Sequence, residues 1–202
     1  MRTFALTGGI ATGKSTFGRL IGELIPGAVL FDCDACVRRL LAESPRVAVD
    51  VARLFGAAAL QPGGGVDRGF LRSRVFGDEG ARLALEGVLH PRVREECLAS
   101  REMAVKEGRV LFVADVPLLF EKGFDFGQER SLLVATTRAT QIRRLKARDG
   151  FDDSLVEAIL AAQLPLEEKL RRADVVFWNE GPPEVLRSQV HRFSLSIHDD
   201  SE

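Results

Sequence analysis

The chain has 202 residues, a length typical of one domain with an elaborated insertion. Its 28 lysines and arginines nearly balance its 29 aspartates and glutamates, giving a formal net charge of −1. A chain so close to neutral has no bulk attraction for a polyanion, which excludes a general nucleic-acid binder or membrane-surface binder. Hydrophobic residues make up 46% of the chain, a globular composition, and no apolar run approaches the roughly 18 residues of a membrane helix. We therefore expect no nucleic-acid partner and no membrane partner.

Short apolar runs predict five strands, and their continuous rather than alternating apolar character is typical of a buried parallel sheet. The runs cover residues 2–6, 28–31, 110–114, 132–135 and 175–178. Helical periodicity separates them, and the first of these helices, over residues 15–25, is ended by Pro26 and Gly27. This alternation predicts an α/β fold with a doubly wound parallel sheet of about five strands.

Two helical segments are expected to elaborate this single domain. Periodic Leu, Val, Ala and Arg positions predict a mostly helical insertion over about 34–107, broken by a loop at 61–65. An Arg-rich helical lid is predicted over about 137–172, with interruptions at Gly150 and Pro165. The remaining core comprises residues 1–33, 108–136 and 173–202, and its polar end, from 198 onward, is expected to be frayed.

Three cysteines, an odd number, are too few for a secreted disulfide framework and favour a reducing compartment, by default the cytoplasm. Cys33 and Cys36 form a CxxC pair, a spacing found in redox couples and zinc sites. The third thiol is Cys97, and no second CxxC or HxxxH completes a set of four ligands. We therefore expect all three to be small, mostly buried residues.

The sequence GGIATGKS at residues 8–15 matches the pattern GxxxxGK[ST] and lies between a predicted strand and a predicted helix, as this phosphate-binding loop requires. Its glycines let backbone N–H groups turn towards phosphate oxygens, and the helix N-terminus adds a partial positive charge. We expect Lys14 to reach the β- and γ-phosphates and the Ser15 hydroxyl to ligate Mg²⁺. The predicted fold is therefore of the P-loop NTPase type, which switch GTPases, motor ATPases and small-molecule kinases share.

Aspartates follow the second and third predicted strands, at the sheet edge where parallel sheets bind ligands. Asp32 has the spacing of an N-cap, whereas Asp34, in the first helical turn, could orient a hydroxyl and accept its proton. Arg38 lies four residues on and could hold an anionic substrate group, although a surface ion pair with Asp34 explains this spacing equally well. Asp115 follows its strand as a metal-orienting carboxylate would, but any strand-ending aspartate looks alike.

Gln141, Arg144 and Arg148 share one helical face of the predicted lid at i, i+3 and i+7. Arginine suits bidentate phosphate contacts, and lid closure would bring these charges onto the transferring phosphoryl group and exclude water. A solvated arginine face is the alternative. His90, which precedes a proline, is by its type more often a structural hydrogen-bonding residue than a catalytic one, and Trp178 is expected to lie in the core.

Six sequence blocks together resemble the dephospho-CoA kinase family in their order and spacing. They are LTGGIATGKST at 6–16, FDCDACVRRLL at 31–41, LHPRV at 89–93, DVPLLFE at 115–121, QIRRLKARDG at 141–150 and ADVVFWNEG at 173–181. The histidine-proline pair with DVPLLFE is more specific than the phosphate loop, which many kinases share. The resemblance implies ATP-dependent phosphorylation of the ribose 3′-hydroxyl of dephospho-CoA, the last step of coenzyme A synthesis, with Mg²⁺ as the metal.

The resemblance implies that the helical insertion over about 34–107 binds the acceptor. It also implies roles for single residues. Asp34 looks like the catalytic base, with Lys14 and Arg144 as the other catalytic groups. The residues expected to bind ATP are Gly9, Ile10, Ala11, Thr12, Gly13, Lys14, Ser15, Thr16, Arg144, Arg148 and, near the adenine, Asn179. The residues expected to bind the acceptor are Asp34, Arg38, His90, Asp115 and Leu118, with Asp115 left open between acceptor and metal.

The sequence departs mildly from the family pattern at Ala11, where glycine is common, and we expect its backbone to avoid the conformations reserved for glycine.

The alternative enzyme is a nucleoside or nucleoside monophosphate kinase, which shares the loop, the insertion and the lid. A nucleotide-dependent switch would need a guanine-reading NKxD tetrapeptide, and none occurs in the sequence. We expect a monomer or a small homo-oligomer.

Overall fold

The structure, a computed structural model, describes residues 1–199, the side chains of Asp149, His198 and Asp199 excepted. The end of the predicted frayed tail, residues 200–202, lies outside the described residues. The chain forms two compact units, one of Met1–Phe31 with the chain from Arg101 onward, the other of Asp32–Ser100. Within the described part of the chain, no helix combines the length and apolar character needed to cross a membrane.

The sheet has five parallel strands, as predicted. They are β1 (Arg2–Thr7), β2 (Ala28–Asp32), β3 (Leu111–Asp115), β4 (Arg130–Ala135) and β5 (Val175–Trp178). Their order is β2-β3-β1-β4-β5, with β1 in the centre between β3 and β4. The register sets Leu6 beside Asp115, so the chain leaves β1 and β3 at the same edge of the sheet.

Helices follow the strands in the predicted alternation. They are α1 (Lys14–Leu24), α2 (Cys33–Glu43), α3 (Pro45–Phe55), α4 (Arg68–Val75), α5 (Glu79–Lys106), α6 (Leu119–Lys122), α7 (Arg138–Asp149), α8 (Asp153–Ala161), α9 (Leu166–Arg172) and α10 (Pro183–Asp199). Apolar residues at helical spacing on α1 are buried, and the ring of Phe17 lies 4.4 Å from that of Phe177 on β5, centroid to centroid. This packing fixes α1 on the sheet and points its first residue, Lys14, to the edge where β1 ends.

The second unit is mainly helical, and side-chain caps start its helices. The side chains of Asp32, Ser44 and Asp67 each accept the N–H of the residue three positions on, as predicted for Asp32. An antiparallel bridge between Leu60 and Val66 closes the loop that interrupts the helices. Each cap contributes about 1 kcal/mol to its helix, so the polar residues at these positions have a structural role.

Burial agrees with the predictions for the cysteines but not for the tryptophan. Cys33, Cys36 and Cys97 are buried thiols, and burial raises the pKa of the Cys36 thiol. Trp178, expected in the core, is 39% exposed. The prediction is wrong because β5 is an edge strand, and along it Phe177 faces the buried side while both of its neighbours are exposed.

A buried ion pair joins α9 to the segment that follows β3. Lys169 is only 2% exposed, and its Nζ lies 2.9 Å from Glu121 Oε1. The angles of this contact do not satisfy a hydrogen bond, and within residues 1–199 Glu121 Oε2 is also buried without one. The pair is therefore held by charge, and either charge alone would be expensive to bury.

Replacing Lys169 by Met leaves the Glu121 carboxylate buried without its counter-ion. We expect the free energy of unfolding, measured by urea denaturation near neutral pH, to fall by about 3 kcal/mol. The double variant Lys169→Met, Glu121→Gln removes both charges and should recover most of that loss. Lys106→Met, at an exposed lysine, is the control and should change stability by less than about 0.5 kcal/mol. Equal losses in the single and double variants would contradict the charge pairing.

Candidate functional site

The candidate site begins at the loop between β1 and α1, whose two ends are occupied by glycines for physical reasons. Gly13 has a φ of +97°, and a Cβ at this position would collide with Asn179 Nδ2. A Cβ on Gly8 would lie 2.6 Å from the carbonyl oxygen of Val134 on β4. The loop can therefore approach β4 and the end of β5 only because both side chains are missing.

Side chains outside the loop hold its carbonyl groups. The contacts are Gln141 Nε2 to Ile10 O at 2.7 Å, Arg144 Nη1 to Ala11 O and Thr12 O at 3.1 and 3.2 Å, and Asn179 Nδ2 to Thr12 O at 2.7 Å. In a trans peptide the C=O and the following N–H point in opposite directions. The N–H groups of Ala11 and Gly13 therefore point away from these side chains, and neither donates a hydrogen bond within the described chain. N–H groups arranged in this way can bind an anion, and we call this arrangement the cradle.

The charged centre of the site joins two residues predicted from the sequence. Lys14 Nζ, at the start of α1, lies 2.5 Å from Asp115 Oδ1 at the end of β3. Their side chains are 17% and 19% exposed, so both can still be reached by a ligand. Ser15 and Thr16 follow Lys14 in the first, exposed turn of α1, where the helix N–H groups have no intrahelical partner.

The expectation for Ala11 is wrong. Its φ is +58°, in the left-handed region that costs a residue with a Cβ about 1–2 kcal/mol. The peptide groups before and after Ala11 are each held at their carbonyl oxygen, by Gln141 and Arg144 respectively. A strained conformation persists where its surroundings fix it in this way.

Gln141 and Arg144 face the loop together, as their i, i+3 spacing predicts. Besides the loop, Arg144 binds the end of β5, where its Nη2 donates to Asn179 O at 3.1 Å. All of its described contacts are thus to main-chain carbonyl oxygens, and Arg144 acts here as a tie between the loop and β5. Arg148, on the last turn of α7, is exposed.

Glu180, which the sequence analysis missed, ties the start of the lid to the end of β5. Its Oε1 accepts hydrogen bonds from the Thr136 hydroxyl at 2.6 Å and from the N–H and hydroxyl of Thr137, each at 2.7 Å. Its Oε2 accepts from the Thr140 hydroxyl at 3.0 Å. These bonds, that from Thr136 foremost, lower the pKa of Glu180 to about 2. Threonines clustered before a predicted helix were the available signal.

The predicted acceptor residues of the second unit are exposed. Asp34 lies in the first turn of α2, and within the described chain its carboxylate makes no hydrogen bond or ion pair. Arg38 pairs instead with Asp32, Nη2 to Oδ2 at 3.7 Å, so the alternative of an Arg38–Asp34 ion pair is wrong. His90 is exposed on α5, which continues through Pro91, and it makes no hydrogen bond with described residues.

Gln163, in the turn between α8 and α9, is a second residue that the sequence analysis missed. Its Oε1 accepts the N–H of Ile10 at 3.0 Å. It also lines a cavity of about 480 Å³ beside the loop, together with Gly9, Thr12 and Gln141. No helical face or motif includes Gln163, so no sequence pattern indicated it.

Leu118, one of the residues expected to bind the acceptor, is 38% exposed and precedes α6 on the segment after β3.

Comparisons with known proteins show the family and the fold. A family model described as dephospho-CoA kinase matches residues 2–184. A dephospho-CoA kinase of Anaeromyxobacter dehalogenans is 43% identical over 200 residues, covering 98% of this chain and 92% of that protein. A crystal structure from Thermus thermophilus superposes with a TM-score of 0.79 at 34% identity, covering 96% and 97% of the two chains. The dephospho-CoA kinase from Campylobacter jejuni gives 0.66 at 25% identity, with 97% of each chain covered.

Replacing Glu180 by Gln tests the tie at the start of the lid. The carboxyl has a pKa of about 2 in the folded chain against a usual 4.5. A lowered pKa contributes stability that is complete above the unfolded value and is lost as the pH falls through the folded one. Between those two values we therefore expect the melting temperature, followed by circular dichroism, to fall more steeply for the unmodified chain than for Glu180→Gln. Glu184→Gln is the control, and identical acid profiles for all three proteins would contradict the tie.

Proposed function

The chain belongs to the dephospho-CoA kinase family, whose members catalyse the final, ATP-dependent step of coenzyme A biosynthesis, and we propose how its residues carry out that step. The reaction transfers the γ-phosphoryl group of ATP to the ribose 3′-hydroxyl of dephospho-CoA and yields coenzyme A and ADP. One observation carries the proposal: Lys14 and Asp115 meet at 2.5 Å beside a loop with inward N–H groups.

The loop binds the phosphates of ATP. The N–H groups of Ala11 and Gly13, with those of the first turn of α1, bind phosphate oxygens, and the helix N-terminus adds favourable charge. Lys14 exchanges Asp115 for the β- and γ-phosphate oxygens, where it stabilises the charge of the transition state. Asn179, held against the loop by its contact to Thr12, lies on the adenine side.

Ser15 and Asp115 fit a magnesium site. A hydroxyl and a carboxylate are the hard oxygen donors that Mg²⁺ prefers, and this ion keeps several positions for water and substrate phosphates. Within residues 1–199, no cluster of three His, Cys, Asp or Glu side chains forms an all-protein site, and a Mg·ATP site does not require one. Ser15 and Asp115 would hold the ion there, and Mg²⁺ would neutralise charge that develops on the phosphates during transfer.

Asp34 is the base that receives the proton of the acceptor hydroxyl. Asp32, two residues earlier, uses its carboxylate to cap α2 and to pair with Arg38. Asp34 makes no such contact among the described residues, so its oxygens are available to orient the 3′-hydroxyl for in-line attack. We also assign Arg38, His90 and Leu118 to acceptor binding, as the family resemblance implies.

The arginines of the lid complete the site when it closes. Arg148 is exposed on α7, and closure would bring it onto the transferring phosphoryl group, beside Arg144. Closure also excludes water, which competes with the ribose hydroxyl as acceptor. The match to dephospho-CoA kinases over most of the chain favours this acceptor over a nucleoside or nucleoside monophosphate. The cytoplasm as compartment, and a monomer or small homo-oligomer as the assembly, stay predictions.

Replacing Asp34 by Asn tests the base. The amide keeps the size of the side chain but cannot accept the proton, so we expect kcat to fall by about 1,000-fold. Because Asp34 is not part of the ATP cradle, the Kd for ATP should change by less than about twofold. The turnover is measured as ADP release coupled to NADH oxidation, with the coenzyme A product identified by chromatography.

Asp67→Asn is the matched control for the Asp34 experiment. Asp67 caps a helix of the same unit, and Asn caps a helix about as well as Asp, so its kcat should stay at the unmodified value. Unchanged turnover in Asp34→Asn would remove Asp34 from the role of base. If the unmodified, folded chain forms no coenzyme A from dephospho-CoA and ATP, the whole assignment is rejected.

A further inference from the structure

Two glutamines of the lid contact the same residue of the phosphate loop, Ile10. Gln163 Oε1 accepts the N–H of Ile10 at 3.0 Å, and Gln141 Nε2 donates to the carbonyl of the same residue at 2.7 Å. Gln141 on α7 and Gln163 in the turn between α8 and α9 therefore hold both polar main-chain groups of Ile10. A single glutamine could let the residue rotate, whereas two opposed amides fix both of its flanking peptide planes.

The next residue is the one with the unfavourable conformation. Ala11 has a φ of +58°, and the carbonyl oxygen before it is the one that Gln141 holds. A return of Ala11 to a negative φ rotates the peptide groups on its two sides against each other. That rotation would break either the contact to Gln141 or the contact of Arg144 to Ala11 O. The lid contacts and the left-handed conformation thus stabilise each other.

Gln163 is itself held from the other side. The N–H of Leu164, its neighbour, donates to Glu121 Oε1 at 3.2 Å, and the same oxygen pairs with the buried Lys169. The turn between α8 and α9 is thereby fastened to the segment after β3. It presents the Gln163 amide to the loop from a fixed position rather than from a mobile connection.

We propose that Gln141 and Gln163 are positioning residues, which hold the phosphate loop in its nucleotide-binding form by fixing the left-handed conformation of Ala11. The proposal rests on the proposed function in one respect, that this loop binds the phosphates of ATP. When the grip is lost, a fraction of the loops relaxes to a form in which the Ala11 N–H no longer points into the cradle. The apparent Kd rises by the reciprocal of the fraction that stays competent.

The substitution Ala11→Gly distinguishes this conformational role from any other role of the two glutamines. Glycine adopts a positive φ about as readily as a negative one, so a loop with Ala11→Gly has little need of the lid to hold it. Nothing else about the missing glutamine is repaired by that substitution. Rescue by Ala11→Gly is therefore specific to the conformational role.

The experiment measures ADP binding by isothermal titration calorimetry, for Gln163→Ala and Gln141→Ala, each alone and combined with Ala11→Gly. We expect the Kd for ADP to rise on the order of fivefold in each single variant and to return to within about twofold of the unmodified value in each double variant. Gln61→Ala, an exposed glutamine of the second unit, is the control and should bind ADP as the unmodified chain does. Melting temperatures establish that each variant is folded.

Two results would overturn the proposal. In the first, both single glutamine variants bind ADP as tightly as the unmodified chain. In the second, they bind more weakly but Ala11→Gly restores nothing, which would assign the loss to another role of the glutamines. The proposed function fails separately: if it is wrong, the unmodified chain forms no coenzyme A, whatever the glutamine variants do.

Discussion

The candidate site depends on the way in which a phosphate loop is held from its outer side. The carbonyl oxygens of three consecutive loop residues, Ile10 to Thr12, accept hydrogen bonds from the lid and from the end of β5. Since each held carbonyl determines the direction of the next N–H, the outer contacts create the inner cradle. Without these contacts, a loop with a left-handed alanine would gain about 1–2 kcal/mol by returning to a negative φ. That gain is large enough to leave most chains without a formed cradle.

Several charged side chains around this cradle are held by groups of the fold. Lys14 has Asp115, and a phosphate competes with that carboxylate for the ammonium. Glu180 has the hydroxyls at the start of α7, which tie the lid to β5 as long as the carboxyl is ionised. The buried Glu121 and Lys169 fasten the far end of the lid, so the lid is anchored at both ends beside a loop that it also holds.

The sequence predicted most of the fold and the parts of the site that lie on motifs. Continuous apolar runs identified all five strands with boundaries within two residues. Burial on both faces explains that signal for β1, β3 and β4. Lys14 and Asp115 were found because a motif and a strand end mark them. Gln163 was missed because its function depends on a turn brought to the loop by tertiary structure, and Trp178 was misplaced because an apolar run does not reveal which strand lies at the edge. The expectation for the backbone of Ala11 was wrong because the side chains that hold its peptide groups are 130 and more residues away in sequence.

The most direct test of the account is to observe the loop N–H groups while a nucleotide binds. In a ¹H–¹⁵N correlation spectrum of the chain titrated with Mg·ADP, the account predicts large downfield shifts for the amides of Ala11, Gly13 and Lys14, because each acquires an anionic acceptor. Saturation with the nucleotide while those three amide signals stay in place would contradict it.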